Sequence, residues 1–413
     1  MLKNPFPIVA LLCALLCTSA AYAAPQSSPD NSLAAALAAR LMLMKEVAAW
    51  KWVNQHPIAD PTQEQAVIDD AILTGLRFGL TAESISDFLR IQIEIAKAIQ
   101  QHWFLMWQQG ERVPTAPDLR AEIRPQLIVL GQRIISLWAD HKIPMSEADL
   151  RAALTEIAGL SGDDVTELLG AINARSFYPN RLEQIQRSGV IRIGTTGDYA
   201  PFSYLDQEQH RIGFDIDVAE RLARHLGARI VWISTTWPSL MADFANNLFD
   251  IGMSGISITP ERQAVAVFSQ PYHRGGKAVI ARCEVAERFN SLDAIDHPGV
   301  RVIVNPGGTN EAFVRDHLKQ AEIIRHQDNR TIFKALTRNE ADLMITDLIE
   351  VRLQSARHRA LCPAILKPLN AQDKAIMMVV DPELNKSVDS WLNTQLNNGT
   401  LTQMMDAHIR RHQ

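Results

Sequence analysis

Two hydrophobic periodicities divide the chain. From Asn31 to about Ala174, apolar residues recur at intervals of three and four and glycine is sparse, the pattern of amphipathic helices. Asn31-Ser32 opens a first helix that runs toward Gln55, where His56-Pro57 stops it. Asp60-Pro61 reads as an N-cap with proline at the first helical position and opens a second helix. Thr81-Ala82-Glu83-Ser84 opens a third, long helix through Trp107. A break at Pro114–Pro117 precedes further helices to about Asn173, interrupted at Ser161-Gly162-Asp163-Asp164. The texture changes at Phe177-Tyr178-Pro179-Asn180. Beyond it Val190–Gly194, Arg229–Ser234, Ile251–Ser254, Lys277–Arg282, Val300–Val304, Glu322–His326 and Leu343–Thr346 read as strands, and 215–226 as a helix. Strands alternating with helices predict an α/β domain with a mostly parallel sheet. The fold class is thus multidomain, an all-α N-terminal domain followed by an α/β domain, with the boundary near residue 180.

A different signal precedes both. Lys3, the apolar stretch Ile8 to Leu16 and the small residues ending Ala21-Tyr22-Ala23-Ala24 have the order of a secretory signal peptide, assigned to 1–24. No other apolar run approaches the roughly 18 residues of a membrane span, so no membrane association is expected once the signal is removed. The helical domain is assigned to 25–178 and the α/β domain to 179–413.

Composition narrows the function classes. The chain has 413 residues, 47% hydrophobic and 21% charged, ordinary for a globular protein. Its 41 basic and 46 acidic residues nearly cancel, and no basic stripe marks a nucleic-acid partner. A small molecule is the expected partner. Of four cysteines, Cys13 and Cys17 lie in the signal. Cys283 and Cys362 remain, one possible pair in an oxidising compartment; with no Cys-His motif around either, a structural disulfide is favoured over a catalytic thiol. The histidines show no metal-ligand spacing, so neither a metal nor another cofactor is expected.

In the C-terminal half, short motifs sit at strand ends: Asp198-Tyr199-Ala200-Pro201-Phe202, Gly213-Phe214-Asp215, Ser254-Gly255-Ile256 with Thr259 and Arg262, and Phe268-Ser269-Gln270-Pro271-Tyr272. The series resembles the periplasmic amino-acid-binding proteins of transport systems. The resemblance implies two α/β lobes (type II), joined by two crossing strands and closing on a small ligand. It also implies that Arg262 clamps a carboxylate with its bidentate fork, helped by backbone N–H near Ser254 and Thr259. Asn305-Pro306-Gly307-Gly308-Thr309-Asn310, between a strand and a helix, could present backbone N–H groups to an anion. Those residues, with Thr195–Tyr199, Thr236-Trp237-Pro238 and Thr346-Asp347-Leu348-Ile349-Glu350, resemble the periplasmic cyclohexadienyl dehydratases. Such enzymes remove water and carbon dioxide from prephenate or arogenate. By that resemblance Glu350 is the general acid, Trp237 and Asn305 position the ring and its carboxylate, and Asp198 orients the hydroxyl. Asp347 matches the acid that grips an amino group in amino-acid receptors. Lys277 or Arg274 could meet a second carboxylate.

In the N-terminal half, Arg40 and Lys51 are 11 residues apart, which at about 100° per residue places both on one helix face. Arg40-Leu41, Val47–Trp52, His56–Asp60, Gln92–Gln100 and Pro117–Pro125 together resemble the exported all-helical chorismate mutases. The resemblance implies that Arg40 and Arg124 hold carboxylates and that Lys51 and Gln100 donate to the breaking ether oxygen. Gln63 stands near the place where that family usually has an arginine, as a substrate-contacting residue, and Ala96 where a hydroxyl residue is common. Lys97 is a possible compensating charge. The resulting expectation is an exported, periplasmic, bifunctional enzyme of phenylalanine biosynthesis acting on chorismate and then prephenate or arogenate. The alternative is an amino-acid-binding receptor fused to a non-catalytic helical module.

Overall fold

The computed structural model describes residues 32–410, so the signal peptide assigned to 1–24 lies outside the described residues. The N-terminal part is a helical bundle whose starts follow local capping chemistry. Ser32 caps Leu33–Met42 by accepting from Ala35 N, Asp60 caps Pro61–Leu76 through Gln63 N, and Thr81 caps the 27-residue helix Ala82–Gln108 through Ser84 N. The expected single helix toward Gln55 is divided at Leu43 into Leu33–Met42 and Met44–Val53. A π-helical turn, Leu119–Ile123, leads into Arg124–Asp140; Glu147–Leu154 and Gly162–Asn173 follow. Ser161 and Asp164, read as an interruption, form the capping box of that last helix. The core between the helices includes Leu37, Leu41, Phe88, Ile95 and Trp138. Trp138 is seated by its Nε1–H, which donates to Ile172 O at 2.8 Å.

The C-terminal part has two lobes, each built on a five-stranded sheet. In the first, the order is 229–234, 190–195, 251–252, 377–378, 267–268; in the second, 322–325, 301–304, 343–347, 277–282, 361–365. The first three strands of each sheet run parallel. The other two run antiparallel to their neighbours, so the sheets are mixed rather than mostly parallel. The direction reverses where the chain crosses between lobes: after Val267–Phe268 it passes to Lys277–Arg282, and after Leu361–Ile365 it returns to Met377–Met378. The two crossing segments pair at His273 and Lys374. A three-stranded ribbon, 198–199, 203–205 and 211–212, is added to the first lobe.

The helical bundle docks on the first lobe. Leu76, Tyr178 and Val190 share one apolar cluster, and Gln184 Nε2 donates to Leu76 O at 3.0 Å. Arg77 Nη2 reaches Asn246 O at 3.3 Å, and Asn247 Nδ2 donates back to Arg77 O. Val190 begins its strand, and Asn246 and Asn247 precede the strand at Ile251, so the docking surface lies at the N-terminal ends of the strands.

Candidate functional site

A cavity of about 370 Å³ opens within the bundle, lined by Arg40, Lys51, Gln63 and Arg124 together with Asp60, Asp70 and Gln92. Arg40 and Lys51 reach it from the ends of two successive helices. Burial lowers the Arg40 pKa, and among the described residues no carboxylate pairs with its guanidinium. Burial also lowers the Lys51 pKa, against the opposing pull of Asp60 and Glu64, and its Nζ donates to Ile58 O at 2.6 Å. Buried cations with few anionic partners make an anion site, because the charge was desolvated without being neutralised.

Gln100 does not line this cavity. Its Nε2 donates to Ala96 O at 2.9 Å, one turn back on its own helix, and its Oε1 is buried without a partner. Gln92, eight residues earlier, does line the cavity, is 2% exposed, and has an Nε2 with no hydrogen-bond partner. Lys97 does not line it either; its ammonium pairs with Glu94 at 2.7 Å and Glu64 at 3.5 Å.

The second site lies between the lobes, where the remaining space is about 20 Å³. Asp347 ends the strand Leu343–Asp347, and Glu350 sits in the first turn of the helix Leu348–Arg357 that follows. Asp347 Oδ1 accepts from Lys277 Nζ at 2.8 Å; its Oδ2 accepts from Lys374 Nζ at 2.6 Å and from the Tyr199 hydroxyl across the cleft. Burial opposes the charge on Asp347, yet the two ammonium groups hold its carboxyl well below the usual range. Lys277 is wholly buried and also touches Thr309 Oγ1 at 2.9 Å and Asn310 Oδ1 at 2.5 Å. Burial brings its pKa down to about 8.

Glu350 is 3% exposed and accepts from Thr346 Oγ1 at 2.5 Å. Burial, reinforced by the charge on Asp347, pushes its carboxyl up to about 8 despite the opposing effects of Thr346 and the two lysines. It therefore holds a proton at neutral pH. Asn305, Thr309 and Trp237 line the same space. Asn310 Nδ2 donates to Asn305 Oδ1 and to Thr346 Oγ1, both at 3.1 Å, which ties the glycine turn to the acid. The turn's own Gly307 N–H is taken by Glu311 at 2.8 Å. Gly307 has φ 75°, and a Cβ there would come within 2.6 Å of Pro238 in the facing lobe.

Four expected ligand contacts stand back from the space. Arg262 is buried and donates Nη1 to Ser257 O at 2.8 Å; burial lowers its pKa to about 10. Thr259 caps the short helix Pro260–Gln263 through Arg262 N. Ser254 Oγ holds Thr196 N at 3.2 Å. Asp198 accepts from Thr196 Oγ1 at 2.5 Å and Trp237 Nε1 at 3.0 Å, and burial raises its pKa. Arg274 is exposed. Sequence reasoning missed Lys374, Tyr199, Ser257 and Thr346. Tyr199 lay inside a quoted motif; Lys374 stands in Asp373-Lys374-Ala375, which carries no pattern. Cys283 and Cys362 are disulfide-bonded and staple the end of strand 277–282 to 361–365.

Both halves of the chain resemble known proteins. Residues 191–411 match the family described as bacterial extracellular solute-binding proteins, family 3, and residues 28–101 match chorismate mutase type II. Over 228 residues the chain is 50% identical to the cyclohexadienyl dehydratase of Pseudomonas aeruginosa, covering 55% of this chain and 85% of that protein. The histidine-binding periplasmic protein of Escherichia coli K12 is 30% identical over 161 residues, 38% of this chain and 60% of that protein. The crystal structure of an ancestral amino acid-binding protein, a precursor of cyclohexadienyl dehydratase, superposes with a TM-score of 0.52 at 30% identity, covering 56% of this chain and 99% of that one. A chorismate mutase region thus precedes the two lobes, and by its matched half the chain belongs to family 3 of the bacterial extracellular solute-binding proteins.

Proposed function

We propose that the chain is a bifunctional enzyme of phenylalanine biosynthesis. The helical domain, 25–178, rearranges chorismate to prephenate. The lobed domain, 179–413, converts prephenate to phenylpyruvate, or arogenate to phenylalanine, with release of water and carbon dioxide. The observation that carries the reading is Glu350, a carboxyl kept protonated at neutral pH inside a closed cleft. Proton transfer needs such an acid, and ligand binding alone does not.

In the first reaction one ether C–O bond breaks and one C–C bond forms within the same molecule, and no proton leaves. The site has to hold a dianion in a folded conformer and stabilise charge on the ether oxygen. Arg40 and Arg124 hold the carboxylates, Lys51 donates to the ether oxygen, and Gln63 contacts the substrate. The accompanying amide donor is Gln92, whose Nε2 is unpartnered, rather than Gln100, whose amide is bound to its own helix.

In the second reaction the Glu350 proton goes to the ring hydroxyl. The C–O bond breaks to give water, the bond to the ring carboxylate breaks to give carbon dioxide, and its electron pair completes the aromatic ring. Glu350 is left as a carboxylate and takes its next proton from solvent. Trp237 and Asn305 position the ring, and Asp198 orients the hydroxyl through the indole it binds. Export to the periplasm through the signal peptide accords with an extracellular family and a disulfide.

The test is to give chorismate to the enzyme and to Glu350→Gln at neutral pH, following chorismate loss and phenylpyruvate gain. Wild type should complete both steps and the variant should stop at prephenate. Untouched chorismate with conversion of added prephenate would remove the mutase half; a variant that still makes phenylpyruvate would remove Glu350 as the acid.

A further inference from the structure

The hydrogen bonds that link Lys277 to Glu350 all point one way. Lys277 begins the strand 277–282 and is wholly buried. Its ammonium has three hydrogens and three acceptors: Asp347 Oδ1 at 2.8 Å, Thr309 Oγ1 at 2.9 Å and Asn310 Oδ1 at 2.5 Å. An ammonium has no lone pair, so only the oxygen of the Asn310 amide can face it. The nitrogen is then turned the other way and donates to Thr346 Oγ1 and Asn305 Oδ1, each at 3.1 Å. Thr346, also wholly buried, accepts one of these hydrogens and donates its own to Glu350 Oε2 at 2.5 Å. Lys277, Asn310, Thr346 and Glu350 all belong to the second lobe, so the sense of this chain is independent of how the lobes meet.

That direction reaches the substrate space at two points. In a carboxylic acid the carbonyl oxygen is the better acceptor, so with Thr346 donating to Oε2 the Glu350 proton resides on Oε1. Were the Thr346 hydroxyl turned round, the acid's proton would be engaged by that hydroxyl instead. At the second point, Asn305 Oδ1 is occupied, which leaves its N–H groups for a ligand. Its Nδ2 lies beside the glycine turn, where a Cβ on Gly308 would come within 3.0 Å of it, and both residues line the space. A ring that carries a leaving hydroxyl and a carboxylate needs these two polarities, a proton to give and a donor to the carboxylate.

Resting on the dehydratase reading above, we propose that Asn310 is a positioning residue of that reaction: held by Lys277, its amide decides which oxygen of Glu350 bears the proton and which end of the Asn305 amide meets the substrate. It acts through Thr346 and Asn305. Lys277, with its three hydrogens engaged, orients Asn310 instead of meeting a substrate carboxylate.

Asn310→Asp tests this, because it keeps the shape and the bond to Lys277 while removing both N–H donors. Thr346 then donates to the new carboxylate and accepts from Glu350, and the proton points away from the substrate. With prephenate, kcat should fall at least about 100-fold, the lower end of what a general acid contributes. The break in kcat/KM near pH 8 should move up, since a carboxylate is added near the acid; a cleft that had merely loosened and taken up water would move it down toward 4.5. Adding Thr346→Val to Asn310→Asp removes the hydroxyl that misdirects the proton, so the double variant should recover about tenfold in kcat over the single one. A gain on adding a second substitution cannot come from a damaged fold. Asn310→Asp within about tenfold of wild type, a break that moves down, or a double variant no faster than the single would each overturn the positioning role while leaving the dehydratase standing. No turnover of prephenate or arogenate by wild type would remove the dehydratase reading, and this inference with it.

Discussion

Replacing Glu350 by Gln separates the acid's chemistry from its effect on stability. Glu350 is shifted from an ordinary 4.5 to about 8. At pH 7 such a carboxyl is about nine-tenths protonated, whereas an unshifted one holds a proton roughly 0.3% of the time, so burial enlarges the population of usable acid about 300-fold. The pH profile of kcat/KM for prephenate, which reports the free enzyme, should be flat below about 8 and fall about tenfold per unit above it. Glu350→Gln should lack dehydratase activity at every pH. The stability consequence has the opposite sense. The folded state keeps the Glu350 proton between pH 4.5 and 8, where the unfolded chain has lost it, so this group's contribution to stability declines as pH rises across that window. The slope is at most about 1.4 kcal/mol per pH unit, with a ceiling of about 5 kcal/mol over the window.

Two neighbours act elsewhere on the pH axis. Asp347 is held below its unfolded value, so its stabilisation is present above about 3.8 and lost below it. Lys277 is lowered to about 8, so its influence runs from there to its unfolded value of 10.5, with stability rising as pH rises. Lys277 begins to titrate at the upper end of the Glu350 window, so the slope assigned to Glu350 is read between pH 5 and 7. Denaturant unfolding of wild type and Glu350→Gln should therefore give a stability difference that favours the variant, grows from pH 5 to 8 and then levels. Parallel stability curves, a rate break near 4.5, or activity that climbs through pH 8 would each refute the reasoning.

In the helical cavity, Gln92→Leu should lower mutase kcat at least tenfold with the fold intact, the scale of one lost donor to developing charge. Gln100→Leu should lower it far less, because that amide is bound to Ala96 O; steady-state chorismate loss distinguishes them. Cys283→Ser should destabilise the second lobe by about 4.5 kcal/mol, the chain-entropy value for a bridge between residues 79 apart. Mutase activity, housed in the helical domain, should survive that change through a thermal ramp that abolishes dehydratase activity. Because the helical domain docks at the strand ends remote from the cleft, prephenate should pass through solvent. An excess of a Lys51→Ala/Glu350→Gln chain, which neither makes nor converts prephenate but can bind it, should delay phenylpyruvate formation from chorismate; no delay would point to direct transfer.

Much of this architecture was legible because it is encoded locally. Ser32, Asp60 and Thr81 are small polar residues at helix starts, and each caps the helix that follows. Asp347 and Glu350 were reached through the resemblance, not through a local pattern; in the structure they stand where a buried strand ends and a helix begins. What escaped depends on distant segments. The strands 377–378 and 361–365 are short or interrupted by Pro363, and their pairing is fixed by a chain returning from the other lobe. Lys374 has no local pattern because its partners, Asp347 and Ser257, come from both lobes. Gln92 and Gln100 stand on one helix, eight residues and so about 80° apart. Periodicity cannot decide which amide meets the cavity until the neighbouring helices are placed. Thr259 and Arg262 were placed at the ligand by resemblance, while Ser257, two residues before Thr259, lines the space.

The two sites differ as their reactions differ. A rearrangement that moves no proton needs only fixed cations, and a bundle can hold these at an accessible cavity because arginine stays charged even when buried. Loss of hydroxide needs a proton donor that survives at neutral pH, and an open site would hydrate a carboxylate and return it to its ordinary acidity. Raising Glu350 requires that water be shut out, and two lobes that close on each other supply that condition. The attachment between domains respects this need. The helical domain bonds to the first lobe through Leu76, Arg77 and Tyr178, at the strand ends away from the cleft. Among the described residues, the hydrogen bonds that tie the helical domain to the lobes go to the first lobe, so on the proposed reading each domain keeps the dielectric environment its own chemistry demands.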